Sequence, residues 1–325
     1  MIRTHPFIEV SVAGRTVSDA FYSLLVSASI YDAPGQEADT CELEFDDENN
    51  LIEVPEMGSE ITVRFGFRGA STWKMGVFIF EKADYDFGPR GEFLRFSCRS
   101  ADMRSDVKEP LSEHFDEKSV GDIVQELAGR HGYDAKISPG LAGLQLPYIA
   151  RTEQSTVDFL TRLADRCGGQ FSVKGSRFLF LERGVLPPIT IDKSDCESGN
   201  ISIEPRPRYG KTQAGWYDRA RNEIKYEDFE TGLKGPVKRL RTTFANAAEA
   251  QKAASAEGSR LGRATGSGSI TLAGMPEVMA DTPIIITGMR REANGEWRAA
   301  SVEHRYDDTY MTTIELEAPE SGRQA

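Results

Sequence analysis

The segment "EQSTVDFLTRLADRCGG", residues 153–169, brings Ser155, Asp158, Asp165 and Cys167 together. A serine or cysteine of that kind works as a nucleophile only when a base, usually histidine, stands within hydrogen-bond reach. The chain has four histidines, His5, His114, His131 and His304. None sits in a recognisable signature, and no GxSxG elbow occurs. Each reactive group also has a structural reading. Ser155 stands where a helix N-cap belongs, and Asp158 at N3 favours the positive helix end. Cys167 continues an apolar stripe of Val157, Leu160, Leu163 and Ala164. His131 follows Arg130 at a helix end, where a cation is favourable. The segment reads as helix grammar, and no catalytic residue is assigned.

Other chemistries fare no better. Among 51 acidic residues, finding pairs carries no information about glycosidase chemistry. "ATGSGSIT" offers Gly266 and Gly268 but has Thr271 in place of the third glycine of a dinucleotide fingerprint, and a strand follows it. Cys41, Cys98, Cys167 and Cys196 are too far apart for a zinc site and read as packing residues. No metal and no cofactor is expected. The formal charge of −12 argues against bulk attraction to nucleic acid or anionic lipid. No apolar run approaches the roughly 18 residues of a membrane span, and the N-terminus lacks a secretory h-region, so a soluble protein made in the cytoplasm is expected. Two charge features stand out. Residues 32–60 hold eleven Asp or Glu and no Lys or Arg. Their dull reading is a solvated strand-and-loop face. Arg206, Arg208, Lys211, Arg219 and Arg221 cluster around Trp216 and Tyr217. That cluster suits a phosphate polymer or, given the acidic excess elsewhere, one half of a protein interface.

The elements that carry these residues fall into three parts. Residues 1–106 read as β: "HPFIEVSVAG", "FYSLLVSASIYD", "DTCELEFDD", "SEITVRFGFRG", "WKMGVFIFEKADYDFG" and "EFLRFSCRSAD" are short, aromatic or β-branched, and end in turn residues. Turns are expected at 46–50 and at Phe67-Arg68-Gly69-Ala70. Residues 107–185 read as α+β. Ser119 with Asp122 opens a helix with a near capping box, and Gly132 stops it. "SPGLAGLQLPY" is loop or strand. The helix after Ser155 stops at Gly168-Gly169 and releases a hairpin, with Phe171 and Val173 before a turn at Lys174-Gly175-Ser176 and Phe178 and Phe180 after it. Residues 186–325 return to β. They are interrupted by an Ala-rich helix at about 246–260, with Asn246 as cap and Gly258 or Gly262 near its end. Asn294-Gly295 signals a hairpin, and "SGRQA" a loose tail.

The order of these segments resembles the late control gene D family of phage tail proteins, which form the hub of contractile tails. "ADTCELEFDDENNLIEVPEMGSEITVRFGF" resembles the acidic first-barrel segment of that family. "SVGDIVQELAGRHGY" is similar to its first helix. "RTEQSTVDFLTRLADRCGGQFSVKGSRFLFLE" is the most specific match, and "GSGSITLAGMPEVMADTPIIITG" with "WRAASVEHRYDDTYMTTIELE" resembles its C-terminal barrel. The resemblance spans nearly the whole chain.

It implies a mainly β fold with two tail-tube-like antiparallel β-barrels, at 1–106 and 186–325, and a small α+β domain at 107–185. It implies a homotrimer, in which two barrels per subunit make a pseudo-six-fold ring able to seat a six-fold tube on one side and a three-fold spike on the other. The neighbours implied are the tail tube, spike and tape measure proteins, in a virion tail or baseplate, with no enzymatic activity, no specific nucleic-acid binding and no membrane insertion. In such a ring Asp39, Glu42, Glu44, Asp46 and Asp47 are candidates to line a channel that repels DNA phosphates. Trp216, Tyr217, Arg219 and Arg221 are candidate interface residues. A cell-wall-acting tail enzyme and the hub part of a type VI secretion spike are the alternatives. No residue-level repeat between the two β regions is legible.

Overall fold

The computed structural model describes residues 5–32, 39–68, 72–89, 91–100, 105–174, 177–204, 209–232 and 234–322, with the side chains of 105 and 106 left aside. The expected turns at Gly69-Ala70 and Gly175-Ser176, the bases Arg206 and Arg208, and the end of the tail lie outside these residues.

The first β lobe is built from β1 (Pro6–Val12), β2 (Arg15–Thr16), β3 (Leu25–Asp32), β4 (Thr40–Asp46), β5 (Glu60–Phe67), β6 (Thr72–Gly88) and β7 (Gly91–Ser100), with a short helix α1 (Asp19–Leu24) before β3. The strands pair antiparallel in the order β3-β4-β7-β6-β5-β1-β2. Strict alternation fixes their faces. In β4, Cys41, Leu43 and Phe45 are buried, while Glu42, Glu44 and Asp46 point the other way. Phe65, Phe78, Phe80, Leu94 and Phe96 complete this core.

The middle unit runs through β8 (Leu111–Ser119), α2 (Val120–Arg130), β9 (Asp134–Ile137), α3 (Pro139–Ala142), β10 (Gln145–Gln154), α4 (Thr156–Cys167), β11 (Gly169–Lys174) and β12 (Arg177–Glu182). At Ser119 the capping box is complete. Asp122 N donates to Ser119 Oγ at 3.1 Å, and Ser119 N donates to Asp122 Oδ2 at 3.1 Å. At Ser155 the side-chain oxygen accepts from Asp158 N at 3.0 Å, and Gly168 ends α4 at φ +71°, a conformation that glycine adopts without strain. The apolar faces of α2 and α4 meet Phe171, Phe178 and Phe180 of the expected hairpin in one core.

The remainder contains β13 (Ile189–Asp192), β14 (Cys196–Ile203), β15 (Lys211–Asp218), β16 (Glu223–Glu230), β17 (Val237–Phe244), α5 (Ala247–Arg263), β18 (Gly266–Ala273), β19 (Pro283–Thr287), β20 (Gly295–Tyr306) and β21 (Tyr310–Glu317). It separates into two bodies. β15, β16 and β17 form their own sheet under α5, with Ala214, Phe244, Ala250, Ala253 and Ala254 at its centre. The other strands make a second β lobe around Ile270, Ile284, Ile286, Trp297, Val302 and Ile314. Two local expectations hold with added detail and one changes. α5 passes Gly258 and ends at Arg263, one residue after Gly262, and both glycines are places of close approach: a Cβ on Gly258 would strike the Phe229 ring, and one on Gly262 the Glu320 carbonyl. Asn294-Gly295 closes a longer loop, in which the Asn294 side chain holds Met289 through both backbone groups. β13 lies parallel to β19, since a long stretch of chain separates them.

The two lobes share one sheet. β20 of the second pairs antiparallel with β3 of the first, from Val302 opposite Asp32 to Tyr306 opposite Ala28. The lobes also repeat each other. Taken in chain order, β3, β4, β5, β6 and β7 correspond to β14, β18, β19, β20 and β21, and the pairings β3-β4-β7-β6-β5 recur as β14-β18-β21-β20-β19, while the last strand differs in direction: β1 is antiparallel to β5 and β13 parallel to β19. Bulges recur as well, between Leu25 and Ser27 in β3 and between Cys196 and Ser198 in β14, and again at Phe80/Lys82 in β6 and Ala299/Ser301 in β20.

Candidate functional site

Strand alternation that buries the two cores leaves a polar face on the shared sheet, continuous across the lobe junction. In one row Met311, Arg305, Ser29, Glu42, Ser97 and Lys82 stand side by side on β21, β20, β3, β4, β7 and β6. In the next, Thr271, Thr313, Glu303, Tyr31, Thr40 and Arg99 do the same, with Thr271 Oγ1 and Thr313 Oγ1 3.1 Å apart. The bases on this face stand beside acids: Arg95 by Glu44 at 3.5 Å, Lys82 by Asp84 at 2.6 Å, Arg99 by Glu81 at 3.6 Å and Arg305 by Asp307 at 3.5 Å. Glu42 and Asp46 have no ion-pair partner among the described residues. The face is therefore hydrophilic, locally charge-balanced and slightly acidic. It offers no enclosed nucleophile or base.

Three of the five acids singled out in the sequence, Glu42, Glu44 and Asp46, lie on this face. The other two are engaged internally. Asp47 Oδ1 accepts from Leu51 N at 2.6 Å and Ile52 N at 3.2 Å, which fixes the following turn. Asp39 stands behind the sheet where all three regions meet. There Lys174, at the end of β11, reaches Asp32 at 2.5 Å and Asp39 at 3.4 Å, while Ala280 N donates to the second oxygen of Asp32 at 2.9 Å. A cleft of about 300 Å³ opens beside them, walled by Phe78, Val278, Met279 and His304. Burial, opposed by Lys174 and assisted by Asp32, pushes the Asp39 carboxyl up to about 7. His304 is fully enclosed, with Tyr310 Oη at 2.9 Å and Thr312 Oγ1 at 3.2 Å from Nδ1 and the Val278 carbonyl at 3.1 Å from Nε2. Burial pushes it down to about 4, so it packs as a neutral ring. The cluster acts as a clamp: one cation from the middle unit compensates two carboxylates at the lobe junction. Sequence reasoning did not find it, because Asp32, Lys174 and Ala280 lie on three separate elements.

The other candidates disperse. Trp216 turns inward, where its Nε1 donates to Glu227 Oε1 at 2.9 Å and Lys225 lies 5.6 Å over its ring. Tyr217 points outward on the opposite face of β15, and Arg219 and Arg221 are exposed in the β15–β16 turn. In the opening segment, Ser155 spends its oxygen on the helix cap. Burial pushes the Cys167 thiol up to about 12, which suits a packed thiol and not a nucleophile. Arg166 of α4 binds Glu249 of α5 and sits 4.9 Å over Phe244, joining the middle unit to the inserted one. His131 Nε2 meets Thr156 Oγ1 at 2.9 Å. Among the described residues no group of three or more His, Cys, Asp or Glu could hold a metal ion, and no helix is long and apolar enough to cross a membrane.

The comparisons with known proteins bear on this architecture. No family model matches the chain. The probable baseplate hub protein of Escherichia phage P2 is 27% identical over 93% of this chain and 90% of its own length. That of Escherichia phage 186 is 25% identical over 96% and 92%. The chain is similar, end to end, to phage baseplate hub proteins. The resemblance drawn from segment order is thereby borne out. Among solved structures, the 43 kDa tail protein of prophage MuSo2 from Shewanella oneidensis superposes with a TM-score of 0.73 at 16% identity, covering 97% of this chain and 99% of that one. An Escherichia coli component of the type VI secretion system superposes with a TM-score of 0.59 at 12% identity, covering 97% of this chain and 79% of that one. Both share the mainly β fold.

Proposed function

We propose that this chain is the structural hub of a contractile phage tail or tail-like particle, located in the tail baseplate and without catalytic activity. The observation that carries the reading is the internal repeat. Two β lobes with the same strand path, joined edge to edge, present one polar face. Three such chains arranged head to tail supply six quasi-equivalent lobes, enough to seat a six-fold tail tube on one side while the three-fold chain symmetry matches a spike on the other. The polar face then lines the central channel. Hydroxyls and balanced ion pairs, with Glu42 and Asp46 left over, give DNA phosphates nothing to adhere to. The tail tube, spike and tape measure proteins are the neighbours that this placement requires.

The test is mass and shape in solution. Light scattering at about three times the 36.0 kDa chain mass, with a ring and central hole in negative-stain images, is the expected result. A compact monomer at every concentration, or loss of turbidity when the protein is added to a cell-wall suspension, would overturn it.

A further inference from the structure

The repeat leaves one strand edge unanswered. In the second lobe β20 changes partners along its length. Its first half pairs with β19, and beyond the bulge Val302–Tyr306 pairs with β3. Its counterpart β6 begins the same way. Thr72–Ile79 pairs with β5, but beyond the bulge the outer edge of residues 82–88 pairs with nothing among the described residues. The counterpart of β3 is β14, at the other end of the sheet, and its outer edge is also unpaired among the described residues. The far end, β2, has only Arg15 and Thr16, too short to template a ladder.

The side chains agree. Ala83, Tyr85 and Phe87 lie on the core side of β6, opposite Phe96, Leu94 and Glu92 of β7. Tyr85 is 62% and Phe87 85% exposed, since among the described residues no strand continues the sheet past them. The matching residues of β20, namely Val302, His304 and Tyr306, are covered by β3 and the first core. Charge also fits. Asp84 and Asp86 are acids on the polar side of β6, whereas residues 198–203 of β14 carry no charge.

We infer that β6 of one copy pairs antiparallel with β14 of a second copy, repeating between chains the β20·β3 ladder found within each. This rests on the trimer proposed above and names its seam. Matching the strands by their bulges sets the register: Ala83 opposite Ile203, Asp84 opposite Ser202, Tyr85 opposite Ile201, Asp86 opposite Asn200 and Phe87 opposite Gly199. Phe87 then meets Gly199, which has no side chain, much as Tyr306 meets the small Ala28.

The test is disulfide trapping in the full chain, with Asp86→Cys/Asn200→Cys in one variant and the adjacent pair Tyr85→Cys/Ile201→Cys in another. Neighbouring antiparallel pairs alternate between hydrogen-bonded and non-hydrogen-bonded spacing, so the two variants sample both. Oxidation is expected to give dimer and trimer bands on a non-reducing denaturing gel from at least one double variant and from none of the single-cysteine controls. Light scattering is run on the same samples. A trimer mass with no cross-link from either pair would sink the seam and leave the trimer standing. A monomer mass throughout would sink both. As an independent arm, Phe87→Ser is expected to weaken trimer association at least tenfold without moving the thermal transition of the monomer, and an unchanged association would count against the seam.

Discussion

The two β lobes follow the same path with different neighbours. In the second lobe, the far half of β20 is covered, His304 is enclosed and Tyr306 packs against Phe65. In the first, the equivalent stretch of β6 is bare and displays Tyr85 and Phe87. The same local geometry produces a finished junction in one place and an open edge in the other. An exposed aromatic pair on the core side of a sheet is costly for a lone chain and sensible for one that meets another copy. The contrast separates what stabilises a single chain from what serves assembly.

That separation can be tested by substitution. The largest loss is expected inside the second lobe: Trp297→Ala, at a fully buried ring, should cost about 3–5 kcal/mol in urea unfolding, and an undetectable change would mean that this core does not support the lobe. Next comes the clamp. Lys174→Met leaves Asp32 and Asp39 uncompensated, and a loss of about 2 kcal/mol is expected, kept below the value for fully buried pairs because Lys174 is partly exposed. A paired experiment addresses the comparison itself. Tyr306→Ser should destabilise by about 1–2 kcal/mol, while Phe87→Ser, its counterpart, should stay within about 0.5 kcal/mol for the monomer. Equal losses at the two sites would remove the distinction between closed and open edges. Ser155→Ala should cost roughly 1 kcal/mol through the lost cap.

A separate test concerns pH. The Asp39 carboxyl is raised from 3.8 to about 7, so the folded state holds this proton more tightly than the unfolded one. Its contribution is full below about 3.8 and is lost as pH rises through about 7. His304, lowered from 6.5 to about 4, has the opposite sign: its contribution is full above 6.5 and is lost as pH falls through about 4. Asp39→Asn should therefore gain stability relative to the parent chain between pH 4 and pH 7. A difference that does not change with pH over this range would show that Asp39 titrates normally.

Much of the local structure was legible. The caps at Ser119, Ser155 and Asn246 use short-range hydrogen bonds that spacing alone encodes, and all three form. "DTCELEFDD" forms the expected strand, which buries Leu43 and Phe45 and turns Glu42, Glu44 and Asp46 the other way. Pairing was not legible, because alternation tells a strand which face to bury and nothing about which strand lies beside it. The parallel β13 and β19, the β20·β3 junction and the Lys174 clamp all join residues far apart in the chain. The repeat stayed hidden for the same reason. It resides in the order of ladders and the placement of bulges, whereas side chains at equivalent positions, such as Asp32 and Ile203, differ. Gly262 stands next to the end of α5, as expected, but the close approach of Phe229 to Gly258 and of Glu320 to Gly262 was not legible, because those neighbours come from other elements.

The β14–β18 connection carries a last consequence. In the first lobe the equivalent strands, β3 and β4, are separated in the sequence by residues 33–39 alone. In the second, the whole β15–β17 and α5 body intervenes, yet its stem stays closed: Ile203 still faces Gly266, and Glu204 N donates to Thr265 O at 2.9 Å. The inserted body hangs from a finished hairpin, as an ornament hangs from a beam. Its surface away from the α4 contact, where Arg166 holds Glu249, can change without disturbing the wall that holds it. Where related particles must meet different surroundings, this is the part of the chain free to diverge.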